Sequence, residues 1–97
     1  MAADVPSILS LEGALTMADS GRFLDEGRAL VSRSDVVADF SGVKECDSSA
    51  LALLLEWRRL ALKSGHVLSA KGLPDGLRSL AELYGITDIL PPEVPSE

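Results

Sequence analysis

The side chains with chemistry to offer are Cys46, Asp47, Ser48, Ser49 and His66, and the first four are consecutive. Asp47-Ser48-Ser49 stands directly ahead of the apolar run Leu51-Ala52-Leu53-Leu54-Leu55. Acidic and hydroxyl residues in that place cap a helix, because a side-chain oxygen accepts one of the backbone N–H groups that the first turn leaves unpaired. The same place lets a serine offer its hydroxyl and the free N–H groups to an anionic group of a partner, or accept a phosphate. Nucleophilic catalysis by serine needs a general base, and His66 is the sole histidine. His66 reads as an ordinary residue at the start of a strand. Cys46 reads as a small apolar side chain rather than a reactive thiol. One cysteine and one histidine give neither an internal disulfide nor a metal-ligand spacing. Gly72-Leu73-Pro74-Asp75-Gly76 lacks the Lys-Ser/Thr of a phosphate loop. The expectation is therefore no catalytic residue, no cofactor and no metal, and a site that docks a partner.

The elements that position this site follow from periodicity. Ser7 to Gly13 mixes apolar and polar residues as a strand does, and Ala14-Leu15-Thr16 continues it beyond a glycine turn or bulge, giving a first strand or a short hairpin. Met17, Leu24, Gly27, Leu30 and Val31 recur at helical spacing, which predicts a helix from Thr16 or Ser20 to about Ser34. Asp35 to Phe40 carries the continuous run Val36-Val37-Ala38 of a central strand, and Ser41 to Glu45 reads as a loop. A long helix then runs from Ser48 to Lys63, with Gly65 as its left-handed stop. His66 to Lys71 is the next strand. Asp75 caps a helix whose apolar stripe is Leu77, Leu80, Ala81 and Tyr84, and Gly85 ends it. Ile86 to Leu90 is a short extended or one-turn segment.

This order of elements predicts an α/β sandwich: a mostly parallel central sheet, an antiparallel first strand or hairpin, and helices packed on it. Residues 1–6 read as a leader, 7–90 as one domain and 91–97 as a proline-rich tail outside the core. The 97 residues and the apolar fraction of 46% fit one domain. A net charge of -6 disfavours nucleic acid and anionic membrane surfaces as partners, and no apolar stretch has the length of a membrane span. With no basic, apolar leader at the start, the expected location is the cytoplasm.

The long helix carries the clearest sign of a partner. Its apolar residues cover an arc of about 220°, where one sheet needs a stripe of somewhat over 100°. Neighbouring helices can cover the surplus. A protein interface can also cover it, and Trp57 and Arg58 on that arc are residue types that anchor interfaces.

Asp47-Ser48-Ser49-Ala50-Leu51 at the start of the apolar helix, Gly65 at its end, and Leu80-Ala81-Glu82-Leu83-Tyr84-Gly85-Ile86 further on together resemble the STAS domain, the module of sulphate transporters and anti-sigma factor antagonists. The likeness runs from about Ser7 to Leu90. Within that family the Leu51–Leu55 run and the ending through Asp88-Ile89-Leu90-Pro91 are most similar to the small STAS subunits of Mla-type phospholipid-transport ABC systems. The resemblance implies a non-enzymatic accessory subunit. It would bind the cytoplasmic ATPase (MlaF-like), and through it the membrane permease, in a transporter that keeps outer-membrane lipids asymmetric. Such a subunit is peripheral to the inner membrane and not inserted in it. The partner-binding residues expected on this reading are Asp47, Ser48, Ser49, Leu51, Trp57 and Arg58. Subunits of that branch carry threonine at the position of Ser48 and glycine at that of Ser49. Ser49 matches instead the serine that anti-sigma factor antagonists have phosphorylated by an anti-sigma kinase. The alternative is therefore an antagonist switched at Ser49.

Overall fold

A computed structural model describes residues 5–16 and 21–94. Strand β1 (Ser7–Leu15) leads to helix α1 (Gly21–Arg33), strand β2 (Val36–Cys46), helix α2 (Ser48–Ser64), strand β3 (Leu68–Lys71) and helix α3 (Asp75–Leu83). A 3-10 turn, Thr87–Ile89, follows. The three strands form one sheet in the order β1-β2-β3, and both pairings are parallel. Each strand reaches the next through a helix, and right-handed crossovers that step in one direction place α1 and α2 on the same face of the sheet. The two helices pack against each other there.

The antiparallel first strand or hairpin does not form. Ser7–Leu15 is a single strand, parallel to β2 from Ser7 opposite Val36 to Leu15 opposite Cys46. The chain leaves β1 towards a helix, and a helical crossover returns it in its original direction, whereas antiparallel pairing needs a tight turn. Gly13, at φ +77°, stands at a register shift and makes a bulge rather than a turn.

Two more expectations shift for related reasons. Ser41 to Glu45 is not a loop, because β2 continues to Cys46 with Gly42, Val43 and Glu45 opposite Glu12, Gly13 and Ala14. Cross-strand pairing overrides the weak strand propensity of this polar stretch, whose side chains are mostly exposed. The segment after Leu90 does not stay clear of the fold. Pro91 is buried, Ala70 N–H donates to the Pro92 carbonyl at 2.9 Å, and Val94 N–H donates to the Ala70 carbonyl at 2.8 Å. Proline lacks a donor but keeps its carbonyl, so it can sit against a sheet edge where only the carbonyl is used.

The core lies between the sheet and the helices. β1 alternates, with Leu9, Leu11 and Leu15 buried and Ile8, Ser10 and Glu12 exposed. Val36, Ala38 and Phe40 of β2 and Leu68 and Ala70 of β3 join the same layer. From the helices come Phe23 and Val31, then Leu51, Leu53, Leu54, Trp57 and Ala61, then Leu77 and Ala81. The expected stripe of α1 placed Leu24 and Leu30 inside, and both are only partly buried, while Phe23 takes the deeper position. Met17 lies outside the described residues. Tyr84 is 54% exposed, because α3 ends at Leu83 and Tyr84 falls past the last turn of its stripe.

Candidate functional site

The start of α2 is built by its own sequence. Asp47 has extended backbone angles, φ -131° and ψ -164°, and its Oδ1 accepts the Ser49 N–H at 2.8 Å. This is a side-chain N-cap, and it occupies one of the donors that a helix terminus would otherwise offer to an anion. At the other end Gly65 takes the left-handed conformation, φ 77°, that closes the helix, and α2 runs one residue beyond expectation.

The six residues expected at the partner site divide. Ser48 and Arg58 are exposed, and Asp47 and Ser49 are half-buried. Leu51 and Trp57 belong to the core, at 4% and 0% exposure, and neither reaches a partner from this structure. For Trp57 the reason is specific. α1 carries no side chain at Gly27, and a Cβ there would overlap the indole ring. The indole N–H donates to the Leu24 carbonyl at 3.1 Å. The bulkiest part of the apolar surplus is therefore covered by the neighbouring helix.

Part of the surplus is not covered. Leu55 and Leu62, each on the arc, are 50% and 65% exposed. Ser48, Leu55 and Leu62 are spaced by seven residues, so they share one face of α2. The helical wheel contained this signal, but only α1 and the sheet decide which part of the arc faces outward.

Beside the N-terminus of α2 lies a shallow groove of about 350 Å3 between α1 and α2, lined by Gly21, Leu24, Ser49, Ala52, Leu53 and Glu56. Glu56 is the residue that sequence reasoning missed here. Arg59 binds its carboxylate through two hydrogen bonds, of 3.1 and 2.8 Å, and Arg28 of α1 stands 3.8 Å away. The Arg59 hydrogen bonds, more than Arg28, hold the Glu56 carboxyl below its usual range.

The remaining groups with chemical potential are apart from Ser48 and Ser49. His66 follows the C-terminus of α2, a helix of 17 residues that spans about 25 Å, and its Nδ1 lies 2.7 Å from the Val31 carbonyl. No proton can pass directly between His66 and Ser49 over that length. Burial, and then the charge of Asp47, push the Cys46 thiol up, so the thiolate is disfavoured. Among the described residues no three His, Cys, Asp or Glu side chains are gathered to hold a metal ion. None of the described helices is long and apolar enough to cross a membrane.

Three parallel strands backed by helices, with a capped helix start and an outward apolar stripe on α2, define a small α/β domain. The chain belongs to the family described as "Mlab, STAS domain", which it matches over residues 2–91. It is 41% identical over 54 residues to the intermembrane phospholipid transport system binding protein MlaB of Escherichia coli strain K12, and equally to that of Shigella flexneri. Those matches cover 55% of this chain and 56% of each relative, so the chain spans little more than half the length of the curated relatives it matches. Among solved structures, a candidate anti-sigma factor antagonist from Thermotoga maritima superposes with a TM-score of 0.74 at 14% identity, covering 90% of this chain and 77% of that one. The anti-sigma factor antagonist SpoIIAA in its unphosphorylated form gives 0.64 at 15% identity, covering 93% and 79%. At such identities these two likenesses speak for the fold alone.

Proposed function

We propose that this chain is a non-enzymatic accessory subunit that binds the cytoplasmic ATPase (MlaF-like) of an ABC transporter for phospholipid, and so acts in keeping outer-membrane lipids asymmetric. It would sit in the cytoplasm, peripheral to the inner membrane through the ATPase and the permease. The observation that carries the reading is the exposed Ser48 at the head of a helix face on which Leu55 and Leu62 are left uncovered. Large apolar side chains aligned on one face mark a surface that a protein partner buries. The 54-residue match to MlaB, named as a binding protein of an intermembrane phospholipid transport system, supports a partner within such a system. Asp47 holds the first turn in place, Ser48 makes contact, and Arg58 and Leu62 extend the surface along the helix.

The test is binding between the purified chain and the Mla-type ATPase of its source organism, with the Ser48→Arg variant in parallel. Wild type should co-elute with the ATPase, and the variant should bind at least tenfold more weakly, because a long charged side chain would stand in the contact. Failure of wild type to bind, or equal binding by the variant, overturns the reading.

A second reading keeps Ser49 as a phosphorylated switch in an anti-sigma factor antagonist. Its support is the placement of Ser49 on an open groove, where a kinase could reach the hydroxyl. A phosphate there would add about -1.5 to -2 charges beside Asp47 and Glu56, enough to break a protein contact. Intact mass of protein from its native cells decides between the two, since an added phosphate on Ser49 favours the switch.

A further inference from the structure

The outer face of α2 carries more than two exposed leucines. Leu55, Arg58, Arg59 and Leu62 follow the i, i+3, i+4, i+7 rule of a single helical stripe, and all four are exposed or partly so. Three of the nine basic residues of the chain, Arg58, Arg59 and Lys63, fall within six consecutive positions on this helix, in a protein of net charge -6. Arg59 is engaged by Glu56, whereas Arg58 has no hydrogen bond or ion pair among the described residues. At the C-terminal end the stripe runs into a groove of about 300 Å3, lined by the apolar Leu62, Val67, Leu90 and Pro91 and by the charged Arg58 and Asp88.

We infer that this stripe docks an acidic amphipathic helix of a partner protein, its apolar ridge lying on Leu55 and Leu62 and its carboxylates meeting Arg58 and Lys63. Charge complementarity selects this occupant. A second copy of the chain, paired through the same face, would bring Arg58 and Arg59 against their own counterparts at the dyad, and like charges oppose that contact. A lipid surface would meet the same Arg58 and Lys63 cations, and the vesicle arm of the experiment separates it from the helix. An acidic helix satisfies Arg58 and covers the leucines in one contact, and its leading side chain fills the groove at Val67. The inference rests on the proposed docking surface and shares its Leu55 to Leu62 part, but it concerns the chemistry of the partner's surface rather than the partner's identity.

The experiment uses the full chain, isotope-labelled, and two synthetic helices of equal length. Both carry leucines at helical spacing, one flanked by glutamates and the other by lysines. The glutamate helix should bind, with amide shifts concentrated at Leu55, Arg58, Leu62 and Val67, and the lysine helix should bind at least tenfold more weakly. Arg58→Glu should reverse that preference, and Leu62→Gln should weaken the glutamate helix roughly tenfold. Both side chains are exposed, so the variants should keep the far-ultraviolet spectrum of wild type. Equal binding of the two helices, no binding of either, or shifts elsewhere on the molecule overturn the inference. So do stronger shifts of the same amides with phosphatidylglycerol vesicles, or a dimer in solution that Leu62→Gln dissolves. If the ATPase fails to bind while the glutamate helix binds as stated, the transporter reading falls and the surface chemistry stands.

Discussion

Asp47 is the residue on which the start of α2 depends, because its carboxylate accepts the Ser49 N–H and thereby sets where the helix begins. Asp47→Ala should cost about 1 kcal/mol. For a domain of this size that lowers the thermal midpoint by roughly 4–8 °C, while Asp47→Ser should keep most of the stability. A thermal melt of the three proteins checks this, and an alanine variant that melts with wild type would show that the cap contributes nothing. Ser48, one residue on, is free of that duty and exposed, which is why the proposed contact falls on it and not on its neighbours. The serine pair was legible from the sequence as the start of a helix. Their different exposure was not, since it depends on how α1 lies beside the first turn of α2.

At the scale of elements, the seam between α1 and α2 decides the fate of the long helix. Gly27 lets the two backbones approach closely enough for the Trp57 indole to fill the gap, and the indole N–H finds its partner in the Leu24 carbonyl. Gly27→Ala should destabilise the fold by about 1–3 kcal/mol, the usual cost of forcing extra volume into a packed core. Adding Trp57→Phe should return part of that loss, because the smaller ring vacates the space the new methyl needs and the two sites are in contact. Urea unfolding of both single variants and the double variant measures the coupling, and strict additivity would count against the seam as described. Sequence periodicity recognised α1 and α2 and their apolar arcs. It left Trp57 between a neighbouring helix and a partner, because a wheel for one helix contains nothing about which neighbour fills which sector.

At the scale of the molecule, residues 91–94 tie the end of the described chain to the sheet. Arg78 donates to Asp75 at 2.7 Å and to Glu93 at 2.5 Å, so α3 holds the segment that pairs with Ala70. The Arg78 hydrogen bond in the first place keeps the Glu93 carboxyl below its ordinary value of 4.5. A depressed folded-state pKa means that this contribution is present at neutral pH and above the unfolded value, and is lost as the pH falls through the folded value. Exchange protection of the Val94 and Ala70 amides should therefore drop as the pH is lowered from 4.5 downward. Glu93→Gln should show reduced protection already at pH 7 and little further change on acidification. Amide exchange followed by NMR, corrected for intrinsic rates, tests both.

The sequence by itself determined the alternation of strands and helices, the Asp47 cap, the Gly65 stop and the surplus of apolar surface on α2, because each follows from local backbone chemistry or from a short-range period. Only the tertiary structure decided that β1 is parallel, that β2 runs on to Cys46, that the segment after Leu90 meets β3, and that Trp57 and Leu51 point inward. Those outcomes rest on contacts between residues far apart in the chain. Strand direction is fixed by the crossover that follows, and burial by the neighbour that arrives.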